Sequence, residues 1–271
     1  MVRKTRLDAE LVRRGLARSR DHAAELVAQG RVQVRGVAAT KPATGVDSDT
    51  PLLVRAEQEE LQWVSRGSRK LLGALDSLTG GGPVVAGRRC LDAGASTGGF
   101  TDVLLHRGAR EVVAVDVGYG QLAWRLRTDP RVQVHDRTNV RTLAPADIGG
   151  PVELTVADLS FISLRLVIPA LVGCTAPDGD LVPMVKPQFE VGRDRLGAGG
   201  VVRDPALRAE AVLSVLAAAA GLGLGLVDVT ASPLPGPAGN VEYFLWLRRG
   251  VAEPRSSIEE LVYAAVQKGP R

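Results

Sequence analysis

Cysteine is scarce in this chain of 271 residues: Cys90 and Cys174 are the whole supply. Neither has a neighbour at metal-ligand spacing, which argues against both a disulfide framework and a structural zinc site, and no metal is expected. Long apolar runs are also lacking. The opening residues, MVRKTRLDAELVRRG, hold no apolar stretch, so no secretory signal is expected. The segment AAAAGLGLGLV at 217–227 is short and broken by glycines, so no membrane-spanning helix is expected. The cytoplasm is the compartment those two absences favour. Aromatics make up 4% of the chain, so its core must rest on Leu, Val and Ala. Acidic charge is thin at one end: residues 1–41 carry ten Lys or Arg against four Asp or Glu, while the remainder carries 24 against 26. The basic excess therefore sits wholly in the N-terminal segment and points to a polyanionic partner there. A merely solvated basic face is the plainer alternative.

What is present centres on CLDAGASTGGF, residues 90–100. It reads as a strand end, a glycine-rich turn and a helix start. Gly94, Gly98 and Gly99 permit a sharp turn and close approach of a ligand to backbone. Ser96 or Thr97 is the expected cap of the helix through Phe100, Val103 and Leu104. The spacing is neither that of a G-x-G-x-x-G dinucleotide fingerprint nor that of a P-loop. Asp92 lies at the end of this strand and Asp116 at the end of the next, Val112–Val115, where an acid can hold ribose hydroxyls. A tight βα turn with no ligand is the alternative.

Three domain segments are expected: residues 1–60, a linker over 61–66, and residues 67–271. In the first, Leu7, Leu11 and Val12 form a helical stripe, and Ser19 is placed to cap a second helix with Ala23, Ala24, Leu26 and Val27 inside. Val32 and Val34 alternate with polar residues as in a strand, and Val46 with Leu52–Val54 suggests a last strand pair. In the third segment an amphipathic helix runs through Leu71, Leu72, Leu75 and Leu78. Strands are then expected at 89–93, 111–116, 131–135, 152–158, 180–186, 224–230 and 241–248. Helices are expected at 98–107, 120–128, after Ser163, from Pro205 to about Gly221, and at 257–267. That alternation is a doubly wound α/β sheet of seven strands, the last two antiparallel.

Ligands bind such sheets beyond the carboxyl ends of the strands, and those ends carry Asp92, Asp116, Asp136, Asp158 and Lys186. An antiparallel final strand brings its start, with Glu242, to the same rim. Lys70 arrives from the first helix. A plain ion-pair network is the alternative reading of Lys70, Asp158, Lys186 and Glu242. Trp63 is expected to pack at the domain junction, with stacking on a substrate as the alternative.

Two resemblances add to this. RLDAELVRRGLARSRDHAAELVAQGRVQVRG resembles the small S4-like RNA-binding domain shared by a ribosomal small-subunit protein, pseudouridine synthases and tyrosyl-tRNA synthetases. It implies phosphate contact by Arg6, Arg13, Arg14, Arg18, Arg20 and Lys41, with Arg66 and Arg69 further candidates at the start of the second domain. The motifs SRGSRKL, LDAGASTGGFTDVLL, VDVGYGQL, RTNVR, ADLSFISL, VKPQFEVG and PLPGPAGNVEYFLWL make the chain similar, almost end to end, to the bacterial hemolysin A family of rRNA 2′-O-methyltransferases. Their catalytic part is like that of the heat-shock-induced rRNA methyltransferases.

That resemblance implies a Rossmann-like class I methyltransferase sheet and a Lys-Asp-Lys-Glu tetrad on Lys70, Asp158, Lys186 and Glu242. It implies S-adenosylmethionine as cofactor, held by Asp92, Gly94, Ser96, Thr97, Gly98, Gly99, Phe100, Asp116, Val117, Asp136, Arg137 and Asp158. Its methionine part would lie by Gly94 to Phe100, its ribose would meet Asp116, and its adenine would lie near Asp136 and Arg137. The implied substrate is cytidine of 16S and 23S rRNA, within ribosomal subunits and with no obligate protein partner. A non-catalytic rRNA-binding or assembly factor, and a membrane-active hemolysin, are the alternatives.

Overall fold

A computed structural model describes residues 4–28, 30–47, 49–54, 63–251 and 257–270. The chain divides into two units, Met1–Gln62 and Trp63–Arg271. In the first unit β1 (Thr5–Arg6) runs into α1 (Leu7–Arg13), followed by α2 (Arg20–Ala28), β2 (Val32–Val34), β3 (Val37–Ala38), β4 (Gly45–Val46) and β5 (Leu52–Val54). Leu7, Leu11, Ala23, Leu26, Val27 and Val32 form its small core. Ser19 Oγ accepts the His22 N–H at 3.1 Å, the expected start of α2. Arg35 and Gly36, both at positive φ, make the two-residue turn between β2 and β3.

The expected pairing of Val46 with Leu52–Val54 is not formed. Val46 pairs with Thr5, whereas β5 pairs with β2. A turn closed by Thr50 N–H to Asp47 O, 3.0 Å, and by Asp47 N–H to Thr50 Oγ1, 3.1 Å, redirects the chain between the two strands.

The second unit begins with α3 (Arg66–Ser77), then β6 (Arg89–Ala93), α4 (Gly99–His106), β7 (Glu111–Val115), α5 (Trp124–Arg127) and β8 (Val132–His135). It continues through β9 (Val152–Ala157), α6 (Leu164–Cys174), β10 (Thr175–Val185), α7 (Pro187–Glu190), α8 (Pro205–Ala220), β11 (Leu224–Ala231), β12 (Tyr243–Arg249) and α9 (Ile258–Lys268). Seven strands form one sheet in the order β11-β12-β10-β9-β6-β7-β8. β12 is antiparallel to both its neighbours, as expected for the last pair.

Side chains alternate along each strand. Leu91, Val113, Val115, Ala157 and Val185 pack under α6, α8 and α9, while Cys90, Val112, Ala114, Val156, Val182 and Met184 pack under α3 and α4. The result is a three-layer sandwich with both faces of the sheet covered, which is why its strands read as nearly unbroken apolar runs.

Three local expectations are corrected. Neither Ser96 nor Thr97 caps α4: the cap position is Gly98, at φ +96°, with no side-chain bond. The helix expected at 120–128 shrinks to α5, because the stretch before it is held as a loop by the Asp116 carboxylate and Gly118. β10 starts at Thr175, five residues early, and its pairing to β9 breaks register between Thr175 and Asp180.

Candidate active site

Strand parity and register bring the charged groups together. Asp158 lies two residues past Val156 and Lys186 two past Met184, and Glu242 lies two before Phe244. Val156, Met184 and Phe244 all face the α3–α4 layer, so the three charged residues leave the sheet on that side. β12, β10 and β9 are neighbours, with Val185 opposite Tyr243 and Pro183 opposite Ala157. One residue further out, Lys186 comes beside Glu242, while Asp158 is level with Met184, the residue before Lys186 on the same face. α3 covers this face and lays Lys70 over it.

Lys70 Nζ donates to Glu242 Oε2 at 2.6 Å. Lys186 Nζ lies 2.6 Å from Asp158 Oδ1, close enough for an ion pair but off the hydrogen-bond axis of that oxygen. Its directed bond goes to Ser160 Oγ at 2.8 Å. Lys70 is 7% exposed, Lys186 9% and Glu242 1%, so two amines and two acids offset one another where bulk water screens little. Burial pushes the Glu242 carboxyl up, while Lys70 and then Lys186 pull it down and Asp158 adds to the rise. Glu242 thus feels the charge of the other three.

The glycine-rich turn lies next to them. Gly94 is at φ +85°, and a Cβ there would collide with the Asp158 carbonyl oxygen. The Asp158 N–H in turn bonds Ala93 O at 3.0 Å. The turn and the acid are one piece of backbone packing. Two hollows open from it. The first, of about 340 Å³, is walled by Ser65, Arg66, Gly67 and Lys70 from the start of α3, by Gly94–Thr97, Gly99 and Phe100, and by Pro235 and Pro237. The second, of about 550 Å³, is more apolar, with Val117, Val140, Leu159, Phe161, Ile162 and Val167 around Asp116, Gln121 and Asn139. Gly94, Ser96 and Asp158 border both. Asp116 is fixed at the boundary, its Oδ2 accepting the Ser96 N–H at 2.8 Å and its Oδ1 the Gly118 N–H at 2.6 Å.

A family model described as FtsJ-like methyltransferase matches residues 63–249, and an S4 domain model matches residues 5–50. Over 272 residues, the full length of both chains, the sequence is 61% identical to the 16S/23S rRNA (cytidine-2′-O)-methyltransferase TlyA of Mycobacterium tuberculosis. The chain belongs to the TlyA family of FtsJ-like methyltransferases. Another relative is Hemolysin A of Brachyspira hyodysenteriae, 35% identical over 240 residues, 88% of this chain and 97% of that one. A solved structure of a protein named as a hemolysin, from Streptococcus thermophilus, matches with a TM-score of 0.71 and 36% identity over 99% of this chain and 96% of that one.

Measured against the residues expected of a TlyA cofactor site, the geometry is uneven. Gly94, Ser96, Thr97, Gly99, Phe100, Asp116, Val117 and Asp158 border the hollows. Gly98 serves the turn from behind, where a Cβ would strike Leu126 and Leu122. Asp92 lies beneath, fully buried, with Oδ2 bonded to the Thr101 N–H and hydroxyl at 2.8 and 2.7 Å and Oδ1 without a partner. Burial lifts its carboxyl to about 7 against those two bonds. Asp136 is tied to Arg127 and held below the usual carboxylate range by it. Arg137, at φ +55°, lies 4.3 Å over the Tyr119 ring. Neither borders the second hollow, where Asn139 and Gln121 stand instead.

Ser160 and Phe161 are further residues the sequence reading missed. Phe161 is 92% exposed at φ +64°, an uncommon backbone state for a bulky side chain, with its ring 5.3 Å from that of Phe189. A strained backbone that holds an aromatic out at the mouth of a cleft leaves no periodic trace in sequence. Trp63 packs edge-on against His106 of its own unit at 5.5 Å.

In the first unit, Arg6, Arg13, Arg18, Arg20 and Lys41 are exposed. Arg6 and Arg20 share Asp8, and Arg13 and Arg14 share Glu10. Arg6 holds the Asp8 carboxyl down to about 2, and Arg13, with Arg14, does the same for Glu10. Arg14 is half-buried and braces the Asp47–Thr50 turn through both carbonyls. Arg66 is exposed at the rim of the first hollow, and Arg69 is exposed on α3.

Proposed function

We propose that this chain methylates the ribose 2′-hydroxyl of cytidine in 16S and 23S rRNA, with S-adenosylmethionine as donor. The observation that carries the reading is the meeting of Lys186, Asp158, Lys70 and Glu242 at one rim of the sheet, against a glycine turn that opens into two joined hollows. The residues suit the donor. Gly94 leaves room for close approach, Asp116 faces the boundary for a ribose, and the apolar second hollow suits an adenine ring. When bound, S-adenosylmethionine supplies a methyl group made electrophilic by its sulfonium charge, a cation that the nearby carboxylates favour.

Lys186, as a neutral amine, is the general base that takes the 2′-hydroxyl proton. Asp158 holds the amine and steadies its charge once protonated. Lys70, locked to Glu242, orients the sugar and its phosphate. Alignment supplies much of the rate, because the 2′-oxygen must meet the methyl group in line. Arg66 at the rim suits a backbone phosphate, and Phe161 suits stacking on a base drawn out of its RNA helix.

The test is methyl transfer to 16S and 23S rRNA, with the modified cytidines mapped by their 2′-O-methyl groups. Lys186→Ala should lower the single-turnover rate by about 10²–10⁴, the usual weight of general base catalysis, with cofactor affinity kept. Transfer at the wild-type rate in that variant ends the assignment.

A further inference from the structure

The Lys186 amine has to lose a proton before each turnover, and it is nearly closed off. It is 9% exposed, with Asp158 against it from β9, Glu242 from the start of β12, and Lys70 behind Glu242 from α3. Its directed hydrogen bond goes to Ser160 Oγ at 2.8 Å, and Ser160 is itself exposed and borders the second hollow. A lysine ammonium has donors and no acceptor, so the serine oxygen accepts and the hydroxyl's own hydrogen is left to be donated elsewhere. Asp158 Oδ1 at 2.6 Å and Ser160 Oγ at 2.8 Å both stand against the nitrogen, and of the two only the serine oxygen takes a directed hydrogen bond from it.

We propose that Ser160 is the proton outlet of Lys186: it holds the charged amine between turnovers and carries its proton to solvent. This rests on the reading of Lys186 as the base. In the step, one N–H bond of the ammonium breaks as the serine oxygen takes that proton, and the serine O–H bond breaks as its hydrogen passes to water. Neutral amine, intact serine and a hydrated proton remain, with no other reactant consumed; the lone pair then faces Ser160, and rotation about the Cε–Nζ bond turns it to the 2′-hydroxyl. Ser160 acts through Lys186 and is a positioning residue.

The experiment is the pH dependence of single-turnover methyl transfer to rRNA for the wild type, Ser160→Ala, Ser160→Thr and Lys186→Ala, with cofactor affinity measured alongside. The serine oxygen favours the charged amine by accepting from it. Its loss should therefore move the acid limb of the profile to lower pH while the plateau falls about tenfold, a part of what acid–base catalysis contributes. A small buffer base such as imidazole should restore the plateau of Ser160→Ala in proportion to its concentration, and Ser160→Thr should keep the wild-type profile. Rates are compared at saturating cofactor, so that any change in cofactor affinity at Ser160, which borders the second hollow, is separated from the loss of proton transfer. An unmoved limb with no response to buffer, beside an inactive Lys186→Ala, overturns the outlet and leaves the base. An active Lys186→Ala overturns both.

Discussion

A Cβ on Gly94 would run into the carbonyl oxygen of Asp158, and the backbone there is at φ +85°, where a side chain is strained even in open space. Gly94→Ala should therefore push apart the glycine turn and the strand end that carries Asp158. The expected outcome is a loss of about 1–3 kcal/mol in stability and a weakened affinity for S-adenosylmethionine, read by thermal unfolding and calorimetry.

Asp92 gives a prediction of opposite sign. Its carboxyl is raised to about 7 in the folded protein, so the folded chain binds the proton more tightly than the unfolded one. The stability this represents is present below the ordinary carboxylate range and is lost as pH rises through about 7, on the order of 4 kcal/mol. Asp92→Asn keeps an acceptor for Thr101 and removes the charge. Without cofactor, its unfolding temperature should fall less than the wild type's between pH 5 and pH 8.

Asp158, Lys186 and Glu242 stand out in the sequence because a charge that ends an apolar strand has few other reasons to be there. Ser160 and Phe161 do not, because their place depends on backbone angles within a short loop.

β10 carries an anchor at its far end. Asp180 is fully buried and accepts from Trp246 Nε1 and Arg248 Nε at 2.7 Å and from Arg88 Nη1 at 2.5 Å. Burial pushes its carboxyl up, but the bonds from Arg248, Trp246 and Arg88 together leave it below the ordinary value. Asp180→Ala leaves two guanidinium groups and an indole N–H without their acceptor. It should cost about 3–5 kcal/mol in urea unfolding, the usual result of breaking a buried charge cluster on one side.

Elements are legible where period and punctuation agree. β6, β7, α6 with its Ser163 cap, and α8 after Pro205 fall within a residue or two of expectation. α5 is shorter than its pattern suggests, because its apolar residues keep a helical rhythm while glycines and an acid hold the preceding loop. β4 and β5 look like partners in sequence because alternation reveals a strand but not its neighbour. The Asp47–Thr50 turn makes that choice.

At the scale of the chain, the charge is divided: the surplus of Lys and Arg lies in the first 41 residues. Arg18 and Lys41 are exposed there. Reversing both to Glu should weaken rRNA binding across sequences alike. It should also flatten the plot of log affinity against log salt by about one for each phosphate that is no longer neutralised. Filter binding at several salt concentrations would measure it. The sheet order cannot be read from alternation, which tells which face a residue occupies and not which strand lies beside it. The antiparallel last strand is accessible, because it alone brings Glu242 to the rim with the other charges.

That final strand enters between β11 and β10, not at an edge. Synthesis runs from the N-terminus, so β10 and β11 emerge with a gap between them, and Lys70 waits for its counter-acid until residue 242 has been made. A nascent chain therefore holds its basic unit early, and the four charged groups at the rim meet only when the last strand has been made.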